Sequence, residues 1–142
     1  MAEKSNSCPS GGAGKYRGGL GQFMEVGATE GHEFDFSAMF DRVDHPARGR
    51  QGGHDGAPTM IQRDDGEPMK GKGKQFVPAG RRVQLAFPGG AGYGSPDDRD
   101  PALVRRDLAR GYISDEEARD VYGMSAEEID AINGAVQRGE SA

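Results

Sequence analysis

Glycine sets the limits on what this chain can fold into: 24 of its 142 residues are glycine, gathered in blocks at 11–21, 49–56 and 89–94. A glycine buries no side chain and gives up more backbone freedom on ordering than any other residue. Ordered glycine blocks make sense where backbones approach one another closely. Pairs three apart recur at Gly11 and Gly14, Gly18 and Gly21, Gly49 and Gly52, Gly53 and Gly56, and Gly89 and Gly92. A polyproline II helix, with three residues per turn, would put such pairs on one bare face. Chance at this density produces nearly as many pairs, so the clustering between prolines and strand-like runs carries the argument. Material for a core is thin, with 34% hydrophobic residues, 7% aromatic and no Trp. The expected fold is mainly irregular and β, with glycine-rich polyproline II-like extended segments, three short C-terminal helices and low regular secondary structure. Such a chain is ordered by something it packs against.

Phe23, Glu25 and Val26 read as strand-like, as does the run from His32 to Phe36, where Phe34 and Phe36 alternate with polar residues. Residues 49–73 read mostly as loop. Arg81 to Phe87 is a better strand, with Val83, Leu85 and Phe87 on one face and Pro88 ending it. From Asp97 onward the punctuation is helical. Asp100 caps a helix with Pro101 at its first position; Leu103, Val104 and Leu108 form its apolar stripe and Gly111 closes it. Ser114 with Glu117, and Ser125 with Glu128, stand three apart as capping boxes. Ala118, Val121 and Tyr122 line the second helix up to Gly123, and Ile129, Ile132 and Val136 the third, up to Gly139. The chain divides into a docking module at 1–96 and a helical segment at 97–142.

The net charge of −5 argues against nonspecific nucleic-acid binding, which rests on phosphate neutralisation by Lys and Arg. Lys70, Lys72 and Lys74 form a short basic patch that reads as a solvated loop ahead of an anion site. The single cysteine, Cys8, fits a reducing compartment. Met1 to Ser10 has no apolar core of a secretory signal and no run approaches a membrane span, so the reading is soluble and cytoplasmic. Gly11 to Lys15 is not a phosphate loop, because Tyr16 stands where a magnesium-holding Ser or Thr is needed and Pro9 where a glycine is needed. Gly90 to Gly94 lies too far before Pro101 to offer a pyrophosphate a helix N-terminus. His32, His45 and His54 lack compact ligand spacing, and Asp97, Asp98 and Asp100 lead into a helix start that favours acids by itself. The residues present no catalytic constellation.

Three stretches resemble one family. Residues 11–21, with Tyr16, Arg17, Gly18, Gly19 and Gly21, resemble the "SGGxGxYRGGxG" segment of hydantoinase B-type proteins. Residues 88–96, with Gly89, Gly90, Gly92, Tyr93 and Gly94, resemble their "PGGGGYGDP" segment, although Ala91 replaces a glycine and Ser95 an aspartate. Arg99-Asp100-Pro101, Val104, Asp107, Gly111 to Ser114, Glu117 to Arg119 and Tyr122-Gly123 resemble the C-terminal stretch that follows. Between them, Phe40 to Arg42, His45-Pro46, Gly49 and Gly52-Gly53 sit where the family has a "DR…PPxGxxGG" region.

The resemblance covers only the C-terminal module of that family, and the chain looks most like the small subunits of acetophenone carboxylase-type complexes. It implies a non-catalytic structural subunit of an ATP-dependent carboxylase acting on an aromatic ketone. Partners would be hydantoinase A-type ATP-binding subunits and a large hydantoinase B-type subunit, in a hetero-oligomer with no nucleic acid and no membrane. It implies no catalytic, cofactor or metal residue on this chain; ATP, Mg and a further divalent metal would sit on the partner subunits. The ten residues from Tyr16 to Gly94 named in the two glycine segments would form the subunit interface. Two alternatives stay open: an accessory subunit of an ATP-dependent hydantoinase or oxoprolinase-type amide hydrolase, and an independent anion-binding protein using Gly11 to Lys15 and Lys70 to Lys74.

Overall fold

The computed structural model describes residues 11–139. Cys8 and the reading of residues 1–10 as lacking a secretory signal lie outside them. Among the described residues five strands form two antiparallel sheets: β1 (Gln22–Gly27), β2 (Phe34–Met39), β3 (Met60–Arg63), β4 (Lys72–Val77) and β5 (Arg82–Phe87). β5 is central in a sheet of order β1-β5-β3, and β2 pairs with β4 in the second sheet. Met24 and Ile61 both stand opposite Leu85, and Val26 and Arg63 both stand opposite Val83. Opposed residues share a face, so one side of β5 gathers the apolar positions. There Ile61, Val83 and Leu85 meet Val77 of β4, with Phe34, Phe36, Phe40 and Phe87 packed around them. Val77 and Val83 are fully buried. The Phe40 ring lies 5.4 Å from Phe87 and 6.2 Å from Phe36, centroid to centroid.

Three helices follow a short 3-10 turn at Pro96–Asp98: α1 (Pro101–Ala109), α2 (Asp115–Asp120) and α3 (Ala126–Gln137). Each begins where a side-chain oxygen takes an orphaned backbone N–H. Asp100 accepts from Ala102 at 2.9 Å and Ser114 from Glu117 at 3.1 Å. Only at Ser125 and Glu128 is the box reciprocal, with each side chain bonded to the other's backbone N–H. At Ser114 the Glu117 side chain goes elsewhere, as described below. Gly111 and Gly123 each adopt φ +67°, the left-handed conformation that ends a helix at least cost in glycine. The helices bury a second core of Val104, Leu108, Ile113, Ala118, Met124 and Ile129.

The architecture expected from composition is corrected. Five antiparallel strands in two sheets and three helices, with helix and strand in about equal amounts, carry the fold, and glycine-rich polyproline II-like segments do not dominate it. Residues 49–73, read as loop, contain β3 and the start of β4. The hydrophobic pattern hides both. β3 is four residues long, and β4 (KGKQFV) buries only Val77 outright. Pairing with β2 from Phe34↔Val77 to Met39↔Lys72 is what makes β4 a strand.

Candidate functional site

The three glycine segments converge inside this chain. Gly12 donates to Gly90 O at 2.8 Å, His54 to Ala13 O at 2.8 Å and Gly92 to His54 O at 2.9 Å. Tyr16 and Tyr93 exchange backbone hydrogen bonds at 2.9 and 3.0 Å. The backbones are so close that a Cβ on Gly18 would strike the Gly90 carbonyl, one on Gly53 the Gly92 carbonyl, one on Gly89 the Gly19 oxygen, and one on Gly92 the Ala13 oxygen. The bareness that would serve a partner's backbone is therefore taken up within the module.

The ten residues expected at an interface separate into three environments. Gly18, Gly89 and Gly92 are buried, whereas Arg17, Gly21 and Gly94 are partly buried. Tyr16, Gly19, Gly90 and Tyr93 are exposed, and a Cβ on Gly19 would meet nothing within 4 Å. The Tyr16 and Tyr93 rings lie side by side at 6.3 Å, 62% and 53% exposed. The Lys15 ammonium stands 5.9 Å from the Tyr16 ring centre. The result is an aromatic, cation-flanked ridge over a closely packed, hydrogen-bonded backbone junction.

Beneath it the helices are fastened to the glycine segments by a residue to which the sequence pattern assigned no role. Asp107 lies on the buried side of α1 with Val104 and Leu108 and is fully buried. Its Oδ2 accepts from Arg17 Nε at 3.0 Å and from Arg99 Nη2 at 2.6 Å. Each guanidinium also reaches the glycine segment: Arg17 Nη1 donates to Gly18 O at 2.8 Å and Arg99 Nη1 to Lys15 O at 2.9 Å. Arg17 lies over the Tyr112 ring at 5.6 Å. Burial pushes the Asp107 carboxyl up, but the bonds from Arg17 and Arg99 and their charges outweigh it and hold it below its ordinary range. The available signal was a charged residue inside an apolar stripe, three after Val104 and one before Leu108, which calls for cationic partners.

Glu117 lines a groove of about 340 Å³ with Gly12, Ala13, His54, Asp55 and Val121. Burial raises its carboxyl above the ordinary value, opposed by the Arg17 and His54 charges and reinforced by that of Asp107. A raised carboxylate stabilises the fold below its unfolded value, and that contribution is lost as pH rises through the folded one. Glu117→Gln is therefore expected to melt higher than the natural chain at neutral pH. The two melting temperatures are expected to converge below about pH 4, as thermal scans across pH will show. Tyr122 ties the same region together: its hydroxyl, raised by burial, accepts from Gly14 N–H at 3.4 Å.

Other sequence candidates do not assemble. Lys72 pairs with Asp41, two residues past β2, and Lys74 with Asp35 of β2 at 2.7 Å, so both cations are matched. Among the described residues no three His, Cys, Asp or Glu side chains are grouped to hold a metal. Among them, too, no helix is long and apolar enough to cross a membrane.

Comparison with known proteins gives a consistent picture. The family model described as Hydantoinase B/oxoprolinase matches residues 2–96. An uncharacterized protein of Methanocaldococcus jannaschii is 36% identical over 74% of this chain and 19% of its own length. A protein of Pseudomonas sp. (strain NS671), named as a candidate B-type subunit of a D-/L-hydantoinase, is 33% identical over 82% of this chain and 21% of its own. Two solved structures share the fold. An acetone carboxylase in its nucleotide-free state has a TM-score of 0.59 at 19% identity, over 92% of this chain and 24% of that one. An ATP-dependent caprolactamase from Pseudomonas jessenii has a TM-score of 0.64 at 23% identity, over 86% and 24%. The chain spans about a fifth of the length of the curated relatives it matches.

Proposed function

The chain belongs to the Hydantoinase B/oxoprolinase family, and on that premise we propose that it is a non-catalytic structural component of a multi-subunit ATP-dependent enzyme. The observation that carries this is the Asp107 knot. Arg17 of the first glycine segment and Arg99 ahead of α1 both bond to Asp107 of α1 and to backbone carbonyls of residues 15–18, and so fasten the helices to the glycine segments. Its exposed ridge, Tyr16 and Tyr93, offers a partner two aromatic rings already held in place by their backbone bridge. ATP, Mg and any further divalent metal belong, in this reading, to hydantoinase A-type subunits and a large B-type polypeptide.

The reaction we assign is carboxylation of an aromatic ketone, acetophenone to benzoylacetate. The resemblance of the glycine and C-terminal segments to acetophenone carboxylase small subunits supports it. Hydrolysis of a cyclic amide is the second reading, supported by the hydantoinase name of the Pseudomonas relative and the fold shared with a caprolactamase.

Native purification through a tag on Ala142 tests both readings. Recovery of large A- and B-type polypeptides with ATP-dependent acetophenone carboxylation is the expected result. The same polypeptides with ATP-dependent hydantoin or lactam opening would move the assignment to the second reading. A folded monomer without partners would end both.

A further inference from the structure

β1 is an edge strand whose side chains are uncovered on both faces. Among the described residues it pairs with β5 on one side only, and all six of its residues are exposed. Phe23, Met24 and Val26 are 46%, 40% and 37% exposed. Register explains how apolar residues come to be left out. Met24 and Val26 stand opposite Leu85 and Val83, on the core face of the sheet. The residues of β2 and β4 that cover this face pack on Ile61, Val83 and Leu85 of β3 and β5. On the other face Phe23 stands opposite Ala86, which stands opposite Met60, so an apolar row crosses the whole sheet.

Edge strands that stay exposed are normally blunted by lysine, proline, a bulge or an inward charge. β1 has none of these. Its sequence is QFMEVG, its register with β5 runs unbroken from Gln22↔Phe87 to Gly27↔Arg82, and its one charge, Glu25, is held by Arg82 at 3.2 Å and Gln84 at 3.1 Å. A free ladder edge flanked by apolar side chains is a template for one more strand.

We infer that β1 is a docking edge, completed by an extended apolar segment from the larger remainder of a hydantoinase B-type polypeptide. This rests on the structural role proposed above. The occupant follows from length: the regions matching this module make up 19% and 21% of the two relatives, so about four fifths of a B-type protein lies outside the part this module matches. A second copy fits worse. The antiparallel self-pairing that uses all six residues sets Glu25 opposite Met24 of the other copy, a charge against an apolar side chain.

The test uses the full chain tagged at Ala142 and purified with its B-type polypeptide. Met24→Lys and Val26→Lys are compared with Met39→Lys, an 83% exposed position on β2. The β1 variants are expected to melt like the natural chain yet recover at least about tenfold less of the large B-type polypeptide, with Met39→Lys unchanged. Hydrogen exchange in the unsubstituted complex reads the same surface without mutation: residues 22–27 are expected to exchange more slowly than in the isolated chain. Undiminished recovery with unchanged exchange would overturn β1 as the docking edge and leave the structural role standing. Failure of the unsubstituted chain to bring any B-type polypeptide would overturn both. A homodimer dispersed by the lysines would make a second copy the occupant and overturn the assignment.

Discussion

Asp107→Ala is expected to lower the melting temperature by about 10–15 °C. The substitution removes the shared acceptor of two guanidinium groups whose side chains are only 12% and 6% exposed, and leaves both charges buried without it. Breaking one partner out of a buried ion pair costs about 3–5 kcal/mol. For a chain of this size about 3 °C accompanies each kcal/mol. Asp107→Asn keeps the shape and is expected to behave nearly as badly, because a neutral amide cannot offset two cations. Surface pairs such as Arg119 with Asp120 provide the contrast: both partners are more than half exposed, and Asp120→Ala is expected to shift the melt by little.

The pH dependence has a definite sign. Asp107 is held below its ordinary value, so its contribution is fully present above the unfolded carboxylate range. It is lost as pH falls through the folded value. Acid scans of the natural chain should therefore show a loss of stability below about pH 4 that is absent in Asp107→Asn. Coincident acid profiles for the two proteins would show that the knot is not the principal fastening.

Gly92→Ala is expected to be nearly as damaging, although it adds one methyl group. That methyl would collide with the Ala13 carbonyl and also lie 2.8 Å from Gly12 O, and both contacts are backbone. The segment cannot retreat without breaking the bonds that Gly92 makes to His54 and Arg50 on the neighbouring strand of chain. Overpacking of this kind costs about 3 kcal/mol, or about 10 °C here. Gly18→Ala, aimed at the Gly90 carbonyl, is expected to behave alike. Gly19 separates folding from docking. It is exposed, lies outside the left-handed region and faces open space, so Gly19→Ala is expected to change stability by less than about 0.5 kcal/mol. Thermal melts of the three alanine variants make the comparison. Gly19→Val with an unchanged melt but weakened subunit association would place Gly19 at the interface. The interface expected from the family resemblance grouped these three glycines together; packing buries Gly18 and Gly92 in the fold and leaves Gly19 at the surface.

The same division runs through the molecule. Local chemistry alone determined the helices: Asp100, Ser114 and Ser125 as caps, Pro101 at a first position, and Gly111 and Gly123 as stops, because a cap satisfies backbone groups within a few residues of itself. The strand centred on Val83, Leu85 and Phe87 was legible for a similar reason, since alternation of side chains is a property of the strand itself. β4 was not legible, because Lys72 to Val77 becomes a strand only by borrowing the ladder of β2, more than thirty residues earlier in the chain. Sequence pattern also singled out the glycine blocks as places of close backbone approach and expected that approach to be to a partner. Only the tertiary structure decided that residues 11–19, 49–56 and 89–94 approach one another. It likewise turned Asp107 inward, between two arginines drawn from eight and ninety positions away. Close contacts between distant backbones, and a buried charge satisfied by distant cations, are relations between segments, and no single segment carries them.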